Sequence, residues 1–248
     1  MTTQIFPHEI TKQKPPQIGL VVLQTDETIE VDFRRLFYGG AELLVTRIPS
    51  GDEVTPETLA AMEAHMADAA SLLPPNTPFA ALGYACTSGS AQIGPKRVAE
   101  ILRQTVSADA YTDPVTALVA ACETLGIQRL GLLSPYMAAV SDRIRSVLSN
   151  RGIETPVFGT FNVTNEARVV RITPASIIQA AEMLAAKGGI DALFLSCTNL
   201  RTLDVIQTLE QRLEMPVLSS NQVLAWHMAK GAGTRLAPGP WGQLSEKR

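Results

Sequence analysis

One pattern occurs twice in the chain, as Leu82-Gly-Tyr-Ala-Cys86-Thr87 and again, 111 residues later, as Leu193-Phe-Leu-Ser-Cys197-Thr198. A second pair, Ile18-Gly19-Leu20 and Leu130-Gly131-Leu132, repeats at a separation of 112 residues. Two matches at nearly the same separation are hard to attribute to chance. The repeat therefore predicts two duplicated lobes related by a pseudo-twofold axis.

Short apolar runs alternate with amphipathic segments throughout the chain. The apolar runs predict buried strands at Ile18–Leu23, Phe79–Ala85, Leu130–Leu133 and Ile190–Leu195. The amphipathic segments predict helices at Thr55–Leu73, Gly94–Gln104, Val115–Leu125, Ala138–Asn150, Pro174–Ala186 and Leu203–Leu213. Alternating strands and helices are typical of parallel sheets with helices on both faces. We therefore predict an α/β fold of two Rossmann-like lobes, each containing a parallel four-stranded sheet.

The two copies of the repeat also suggest how the chain is divided. Residues 1–117 are predicted to form an N-terminal lobe, which the C-terminal segment 221–248 completes. Residues 118–220 are predicted to form the C-terminal lobe. Because open parallel sheets bind ligands at the carboxyl ends of their strands, we expect the active site in the cleft between the lobes.

The composition is that of an ordinary globular protein, and it argues against several functions. The 248 residues have a net charge of −3 and no basic run interleaved with aromatic residues, so we expect no nucleic-acid partner. No apolar run approaches the roughly 18 residues of a membrane span, and no secretory signal is visible. Neither a nucleotide-binding glycine loop nor a metal-ligand spacing occurs, so no cofactor or metal is expected. Three cysteines, an odd number, predict reduced thiols in the cytoplasm.

Cys86 and Cys197 are the candidate catalytic residues. Each ends an apolar strand, at the edge where a parallel sheet binds its ligand. If the lobes face each other across the twofold axis, the two thiols approach one cleft from opposite sides. The alternative is that both are buried structural cysteines, since free cysteine is among the most buried residue types. Cys122, in contrast, falls in an apolar helical stripe and is expected in the core.

Small polar residues follow each candidate cysteine. Thr87 and Ser88 come after the first, and Thr198 and Asn199 come after the second. Hydroxyl and backbone N–H groups in such loops attract anions and lower the pKa of a neighbouring thiol. We therefore expect them to hold a substrate carboxylate beside the thiols. A third polar run, Ser219-Ser220-Asn221, is expected to cap a helix.

Five longer motifs carry a resemblance to a known family: Cys86-Thr-Ser-Gly-Ser, Leu133-Ser-Pro-Tyr136, Leu195-Ser-Cys-Thr-Asn-Leu-Arg-Thr-Leu-Asp204, Met215-Pro-Val-Leu-Ser-Ser-Asn221 and Pro238-Gly-Pro-Trp-Gly-Gln-Leu244. Over nearly its whole length, the chain resembles the aspartate/glutamate racemase superfamily. Within it, the chain looks like the branch of maleate cis–trans isomerases, arylmalonate decarboxylase and ectoine-utilisation proteins. The resemblance implies two lobes with pseudo-twofold symmetry, no cofactor, and a homo-oligomer, either a dimer or a tetramer.

The resemblance also implies roles for individual residues. Thr87, Ser88 and Tyr136 match hydroxyl donors that hold a substrate carboxylate, and Asn162 matches a carboxylate ligand of the isomerases. Thr25 corresponds in the first copy of the repeat to Tyr136 in the second. The isomerases carry a ligand asparagine in that first loop, and its absence here can signal a different substrate. The predicted substrate-binding residues are Thr25, Thr87, Ser88, Tyr136, Asn162, Thr198 and Asn199.

Three functions are compatible with this pattern. The leading hypothesis is a maleate-type cis–trans isomerase of a small carboxylate, in which the Cys86 thiolate adds to the double bond and Cys197 handles the proton. The alternative is a two-thiol racemase or epimerase of an amino acid or acetylated diamino acid, with Asp26 holding an ammonium group. The decarboxylase that the chain resembles has glycine at the position of Cys86, which argues against decarboxylation here. The non-enzymatic alternative is a two-lobe protein that only binds a small carboxylate.

Overall fold

Two parallel four-stranded sheets form the framework of the protein in a computed structural model that describes residues 3–11 and 14–247. The first sheet has the spatial order β2 (Glu42–Ile48), β1 (Gln17–Leu23), β3 (Phe79–Ala85) and β4 (Tyr111–Thr112). The second has the order β6 (Glu154–Thr160), β5 (Arg129–Ser134), β7 (Ala192–Leu195) and β8 (Val217–Ser219). Neighbouring strands are parallel in both sheets. The second order repeats the first, strand for strand, which confirms the prediction of two parallel α/β lobes.

Helices connect the strands and cover the sheets. In chain order they are α1 (Ile29–Leu36), α2 (Pro56–Ala61), α3 (Glu63–Ser71), α4 (Thr87–Ile93), α5 (Pro95–Thr105), α6 (Pro114–Leu125), α7 (Ala138–Ser149), α8 (Glu166–Val169), α9 (Pro174–Ala185), α10 (Ile206–Leu213) and α11 (Ser220–Gly231). The stretch predicted as one helix from Thr55 to Leu73 is divided at Met62 into α2 and α3. A short 3-10 turn, Leu203–Val205, precedes α10.

The outer strands are the elements that the apolar runs did not predict. Strand β2 lies at the edge of the first sheet, and its Glu42 and Arg47 are exposed. Strand β6 has the same edge position in the second sheet, where Glu154 is exposed. An edge strand of this kind alternates exposed and buried residues, so its sequence lacks the continuous apolar run of a central strand.

The repeated glycines of the two central strands have a common physical reason. Gly19 in β1 pairs with Leu82 in β3, and Gly131 in β5 pairs with Leu193 in β7. A Cβ atom at either glycine would lie 2.6 Å from a methyl carbon of its leucine partner. Glycine therefore leaves the volume that the leucine side chain fills in each core. The glycine and the leucine therefore recur together in both copies of the sequence repeat because they pack in the same way.

The last helix of each lobe crosses to the other lobe. Helix α11 follows β8 of the second sheet but packs on β3 of the first, where a Cβ atom at Gly83 would lie 2.7 Å from Met228 Sδ. Helix α6 follows β4 of the first sheet, and its Leu118 packs in one apolar cluster with Leu130 and Leu132 of β5. Helices α6 and α11 also pack against each other. This exchange joins the lobes into one unit, while the predicted domain boundaries themselves stay a prediction.

Two further properties bear on the predictions. Across residues 3–11 and 14–247, every helix is too short or too polar to cross a lipid bilayer. Cys86, Cys122 and Cys197 are free and buried. Cys122 packs with the second-lobe core, as its apolar stripe predicted.

Candidate active site

Cys86 lies at the junction between β3 and α4. It is the N-cap residue of α4, which begins at Thr87, where a polar loop was expected. The Gly89 N–H donates a hydrogen bond to Cys86 Sγ at 3.1 Å. A Cβ atom at Gly89 would lie 2.6 Å from the Tyr84 hydroxyl oxygen and 3.0 Å from the sulfur, so this approach requires glycine. The local sequence thus fixes one thiol beside a backbone donor and a phenol.

Cys197 follows β7 at the equivalent position and has a strained backbone. Its φ angle of +121° lies in a region that L-amino acids rarely adopt. The Tyr136 hydroxyl oxygen lies 2.9 Å from Cys197 Sγ, and the Asn199 N–H donates to the same sulfur at 3.3 Å. The Cys197 N–H donates to Ser220 Oγ at 2.9 Å. These contacts hold the sulfur in place against the backbone strain.

Hydrogen bonds connect the two cysteine loops. The Thr87 hydroxyl donates to Ser220 Oγ at 2.7 Å, and this oxygen also accepts the Cys197 N–H. The Thr198 hydroxyl donates to the Ala85 carbonyl oxygen at 3.4 Å. Residues that adjoin one cysteine are therefore bonded, directly or through Ser220, to residues that adjoin the other. The tertiary structure brings the carboxyl ends of β3 and β7 together at the contact between the lobes.

Glu166, the first residue of α8, places a buried carboxyl group beside Cys197. Its Oε1 accepts the Tyr136 hydroxyl at 2.6 Å, and its Oε2 accepts the Asn199 side-chain amide at 2.7 Å. Both partners also contact the Cys197 sulfur. Burial raises the pKa of Glu166, and the two hydrogen bonds oppose this shift.

Asp26, which follows β1, is a second buried carboxyl group at the site. Its Oδ1 accepts the N–H groups of Thr28 and Ile29 at 2.8 and 2.9 Å. Its Oδ2 is buried without a hydrogen-bond partner among the described residues. Burial raises the pKa of Asp26 and outweighs the backbone bonds and the nearby Thr198 hydroxyl, which lower it. Within the described part of the chain, no three His, Cys, Asp or Glu side chains are arranged to hold a metal ion.

Burial also determines the protonation state of the two thiols. Cys86 is 5% exposed and Cys197 is 3% exposed. Desolvation raises the pKa of Cys86 to about 12 and that of Cys197 well above its ordinary value, and the charges of Glu166 and Asp26 raise both further. The hydrogen bonds to each sulfur lower the pKa by less. The polar loops lower the pKa of each thiol, as predicted, but burial outweighs them and favours the neutral form.

Five of the predicted substrate-binding residues surround the cysteines in buried positions. They are Thr87, Ser88, Tyr136, Thr198 and Asn199. Among them, the Ser88 hydroxyl is buried and has no hydrogen-bond partner in the described structure. A buried hydroxyl without a protein partner is free to bind a ligand or water.

Thr25 and Asn162 lie outside this buried group. Thr25 is half-buried, and its hydroxyl oxygen is 3.2 Å from that of Ser50. Asn162 is exposed in the loop before α8, with a φ angle of +55°, and its N–H donates to Thr160 Oγ1 at 2.8 Å. Their roles as substrate ligands stay predictions.

Two residues of the site were not predicted. Glu166 is far in sequence from both cysteines, and the only local signal is an acidic residue at the start of a short helix. The run Ser219-Ser220-Asn221 was predicted to cap a helix, and Ser219 is indeed the capping residue of α11. Ser220 instead bridges Thr87 and Cys197. Neither role has a signature in the local sequence.

A comparison with family models places these features in a known family. The model described as arylmalonate decarboxylase matches residues 52–245, a range that contains both cysteines, Tyr136, Glu166 and Ser220. The chain belongs to the arylmalonate decarboxylase family. This finding confirms the resemblance that the cysteine motifs indicated.

Similar proteins in this family include both isomerases and a decarboxylase. The maleate isomerase of Nocardia farcinica is 28% identical over 240 residues, which cover 92% of this chain and 94% of that protein. The arylmalonate decarboxylase of Bordetella bronchiseptica is 27% identical over 135 residues, and the match spans 53% of this chain and 56% of that protein. These relatives are enzymes, and this chain is an enzyme too, which argues against the carboxylate-binding protein without turnover.

A solved structure connects the fold to cysteine chemistry in a relative. It is a cysteine-to-serine mutant of the Nocardia farcinica maleate cis–trans isomerase with a covalently bound succinylcysteine intermediate. It is 25% identical to this chain, with a TM-score of 0.83, and the match covers 93% of this chain and 98% of that one. The architecture of two parallel sheets is therefore that of the maleate isomerases.

Proposed function

We propose that this protein is a cofactor-independent isomerase that acts on a small carboxylate through Cys86 and Cys197. The leading reaction is the cis–trans isomerisation of a maleate-type dicarboxylate. The observation that carries the proposal is the position of the two thiols at the carboxyl ends of equivalent strands, in loops joined through Ser220. The similarity to maleate isomerases, one of them with a succinylcysteine intermediate, supports this reaction.

The surroundings of the thiols favour different roles for them. The sulfur of Cys86 accepts the Gly89 N–H, a donor that stabilises a thiolate and leaves it free to attack. The sulfur of Cys197 contacts the Tyr136 hydroxyl, which leads on to the Glu166 carboxylate. A chain of hydrogen-bonded groups that can carry a proton is typical of a residue that acts as a general acid and base. We therefore assign Cys86 as the nucleophile and Cys197 as the acid and base.

In the proposed reaction, Cys86 forms and breaks the bond to the substrate carbon, and Cys197 transfers the proton. The Cys86 thiol first loses its proton to solvent, and the resulting thiolate forms a bond to C2 of the cis double bond, while C3 takes the proton of the Cys197 thiol. The double bond becomes a single bond, about which the intermediate rotates. The Cys197 thiolate then removes a proton from C3, the bond between sulfur and C2 breaks, and the trans double bond forms as the Cys86 thiolate leaves.

The substrate carboxylates are assigned to the buried hydroxyl groups near Cys86. Ser88 is the strongest candidate, since its hydroxyl has no hydrogen-bond partner among the residues that the structure describes. Two buried acids, Asp26 and Glu166, would repel a dianion if both were charged. Burial raises the pKa of Asp26, which favours the neutral form that tolerates and can donate to a carboxylate, whereas both oxygens of Glu166 accept hydrogen bonds within the protein.

A racemase or epimerase of an amino acid is the second candidate, and one observation favours it. Asp26 Oδ2 is buried without a hydrogen-bond partner among the described residues, and the charges of Asp26 and Glu166 act on both thiols. Ionised carboxylates in these positions would complement an ammonium group. One thiolate would then remove the α-proton, and the opposite thiol would deliver a proton to the other face.

Proton NMR in heavy water distinguishes the two candidates. The purified enzyme is incubated with maleate and, separately, with amino acids and acetylated diamino acids. We expect maleate to become fumarate, and deuterium from the exchanged Cys197 thiol can enter at C3 during turnover. Rapid α-deuteration of an amino acid without action on maleate would reject the leading reaction in favour of racemisation. Inactivity towards all of these would reject both.

We also propose that the enzyme acts in the cytoplasm as a homodimer or homotetramer. The three free cysteines support a reducing compartment, and the family resemblance supports the oligomer. Light scattering after size-exclusion chromatography tests the assembly, and a mass near 26.7 kDa, that of one chain, would contradict it.

A further inference from the structure

Among the described residues, the two hydrogen-bond partners of the Cys197 sulfur are both bonded to the carboxyl group of Glu166. Tyr136 contacts the sulfur through its hydroxyl at 2.9 Å, and Asn199 contacts it through its N–H at 3.3 Å. The side chains of both are bonded to Glu166, one to each carboxylate oxygen, at 2.6 and 2.7 Å. One buried carboxyl group therefore holds both groups that surround the sulfur.

The direction of these bonds defines a path for a proton. Tyrosine has one hydroxyl proton, and Tyr136 donates it to Glu166 Oε1 at 2.6 Å, a length typical of a bond to an ionised acceptor. The Tyr136 oxygen can then accept the S–H of Cys197 across 2.9 Å. Two consecutive hydrogen bonds therefore connect the Cys197 thiol, the Tyr136 hydroxyl and the Glu166 carboxylate.

The backbone around Glu166 is fixed by the first lobe. The Glu166 N–H donates to the Asp52 carbonyl oxygen at 3.0 Å, and the Val54 N–H donates to the Thr164 carbonyl oxygen at 2.9 Å. Asn199 is held from the same lobe, since the Glu27 N–H donates to its Oδ1 at 2.9 Å. The position of the carboxyl group beside Cys197 thus depends on the contact between the lobes.

We infer that Glu166 is a positioning residue that exchanges a proton with Cys197 through the hydroxyl of Tyr136. When Cys197 must become a thiolate, its S–H bond breaks as a new O–H bond forms on Tyr136. The original O–H bond of Tyr136 breaks at the same time, and the proton passes to the Glu166 carboxylate. The reverse transfer restores the thiol. The net charge of the three groups is unchanged, and this role rests on the proposed acid–base function of Cys197.

Other groups at the site act on the same equilibrium. Asp26 raises the pKa of Glu166 by charge repulsion, and the charges of Glu166 and Asp26 act on Cys86 as well as Cys197. Asn199 adds a neutral donor that favours the ionised form of Glu166. The effect of a change at Glu166 must therefore be measured on the ionisation of Cys197 alone, in a variant that lacks Cys86.

Thiol titration tests the inference without any substrate. In a Cys86→Ala, Cys122→Ala background, the rate of Cys197 alkylation by iodoacetamide is measured against pH, with and without Glu166→Gln. Removing the carboxylate frees the Tyr136 hydroxyl to donate to the thiolate and removes a repelling charge. We expect the inflection to move down in pH by about one unit, which is a tenfold change in thiolate fraction. The same change at the exposed Glu154, in the same lobe, should leave the inflection in place.

Turnover should become slower in the same variant, although its Cys197 thiol ionises more readily. In the enzyme with all its cysteines, Glu166→Gln should lower kcat by about 10²-fold with little change in KM, because Cys197 must be a thiol to give its proton to C3 and the path that restores this thiol is interrupted. In a Tyr136→Phe background, the same change should have little additional effect on kcat. An inflection that stays in place or moves up, or equal kcat losses in both backgrounds, would overturn the inference. The titration remains decisive even if the proposed substrate is wrong.

Discussion

The hydroxyl oxygen of Ser220 accepts the backbone N–H of Cys197 at 2.9 Å. Cys197 has a φ angle of +121°, so this bond fixes a residue whose backbone is strained. Ser220 is the first residue of α11, the helix that follows the second sheet and packs on the first. The same oxygen accepts the Thr87 hydroxyl beside the other cysteine. A single side chain therefore couples the strained thiol to the opposite lobe.

Ser220→Ala should damage both stability and catalysis. The Cys197 N–H and the Thr87 hydroxyl lose their acceptor in a buried position, so we expect a loss of about 1–3 kcal/mol in the free energy of unfolding. A displaced sulfur should lower kcat by about 10- to 100-fold. Denaturant unfolding and initial rates measure the two effects. Ser219→Ala removes the cap of α11 without touching Cys197, so it should cost about 1 kcal/mol and leave kcat unchanged. Equal kcat losses in both variants would contradict this role for Ser220.

The three cysteines should respond differently to alanine substitution. Cys86→Ala and Cys197→Ala each remove a group that changes bonds in the proposed reaction, so we expect kcat to fall by about 10³-fold or more. Cys122 packs in the core of the second lobe, and Cys122→Ala should change stability modestly while turnover is retained. Steady-state rates and melting curves of all three variants make the comparison. Full activity in either of the first two would exclude the paired-thiol mechanism.

Two serines in α4 should differ in their roles, because Ser88 is expected to affect substrate binding and Ser90 is expected to affect stability. The Ser88 hydroxyl is buried and has no hydrogen-bond partner in the described part of the chain, so Ser88→Ala should leave the melting temperature unchanged or higher. If this hydroxyl binds the substrate carboxylate, KM should rise by about tenfold. The Ser90 hydroxyl donates to the Cys86 carbonyl oxygen at 2.7 Å, so Ser90→Ala should lower the melting temperature. An unchanged KM in Ser88→Ala would remove Ser88 from the binding site.

Asp32 should make stability depend on pH. Burial raises its pKa from 3.8 to about 6, despite the hydrogen bond that the Asn221 side-chain amide donates at 2.8 Å. The folded chain therefore binds a proton more tightly than the unfolded chain. Its contribution to stability is fully present below pH 3.8 and is lost as the pH rises through about 6. Asp32→Asn cannot ionise but keeps an acceptor for Asn221, so it should melt about 2–4 °C higher at pH 8.

Melting curves of wild type and Asp32→Asn between pH 4 and 8 provide the test. We expect the difference to shrink towards zero at about pH 4, where Asp32 is protonated in both states. The control is Asp142→Asn, because Asp142 is exposed and pairs with Arg145 at the surface. A gain for Asp32→Asn that is the same at every pH would show that ionisation is not the cause.

The duplicated glycines should be sensitive to a single methyl group. Gly131→Ala would place a Cβ atom 2.6 Å from Leu193 Cδ2 and 2.8 Å from Ile190 Cδ1, so we expect a loss of about 1–3 kcal/mol. Leu193→Ala creates room but leaves a cavity, at a cost of about 2–5 kcal/mol. The double variant should be more stable than the sum of the two losses implies, by about 1 kcal/mol. Strict additivity, measured by denaturant unfolding, would contradict the packing relationship.

Sequence alone was sufficient for the central strands, and it also indicated residues that the structure places around the two cysteines. Strands β1, β3, β5 and β7 are buried on both faces, and such strands appear as continuous apolar runs. The edge strands β2 and β6 expose part of their residues and gave no such signal. Around the cysteines, Thr87, Ser88, Thr198 and Asn199 could be identified because they adjoin them in the chain, and Tyr136 because it lies in a motif of the family. Ser220 and Glu166 could not, because they meet the cysteines only through the packing of distant segments.

The amino-acid sequence by itself determined the duplication, the alternation of strands and helices, and the presence of two cysteines at equivalent strand ends. These are properties of local periodicity and of repeated packing, such as Gly19 with Leu82 and Gly131 with Leu193. Only the tertiary structure decided that burial raises the pKa values of both thiols. Their pKa values depend on burial and on the charges of Asp26 and Glu166, which come from other parts of the chain. Desolvation and charge act through space, and spacing in the sequence does not encode them.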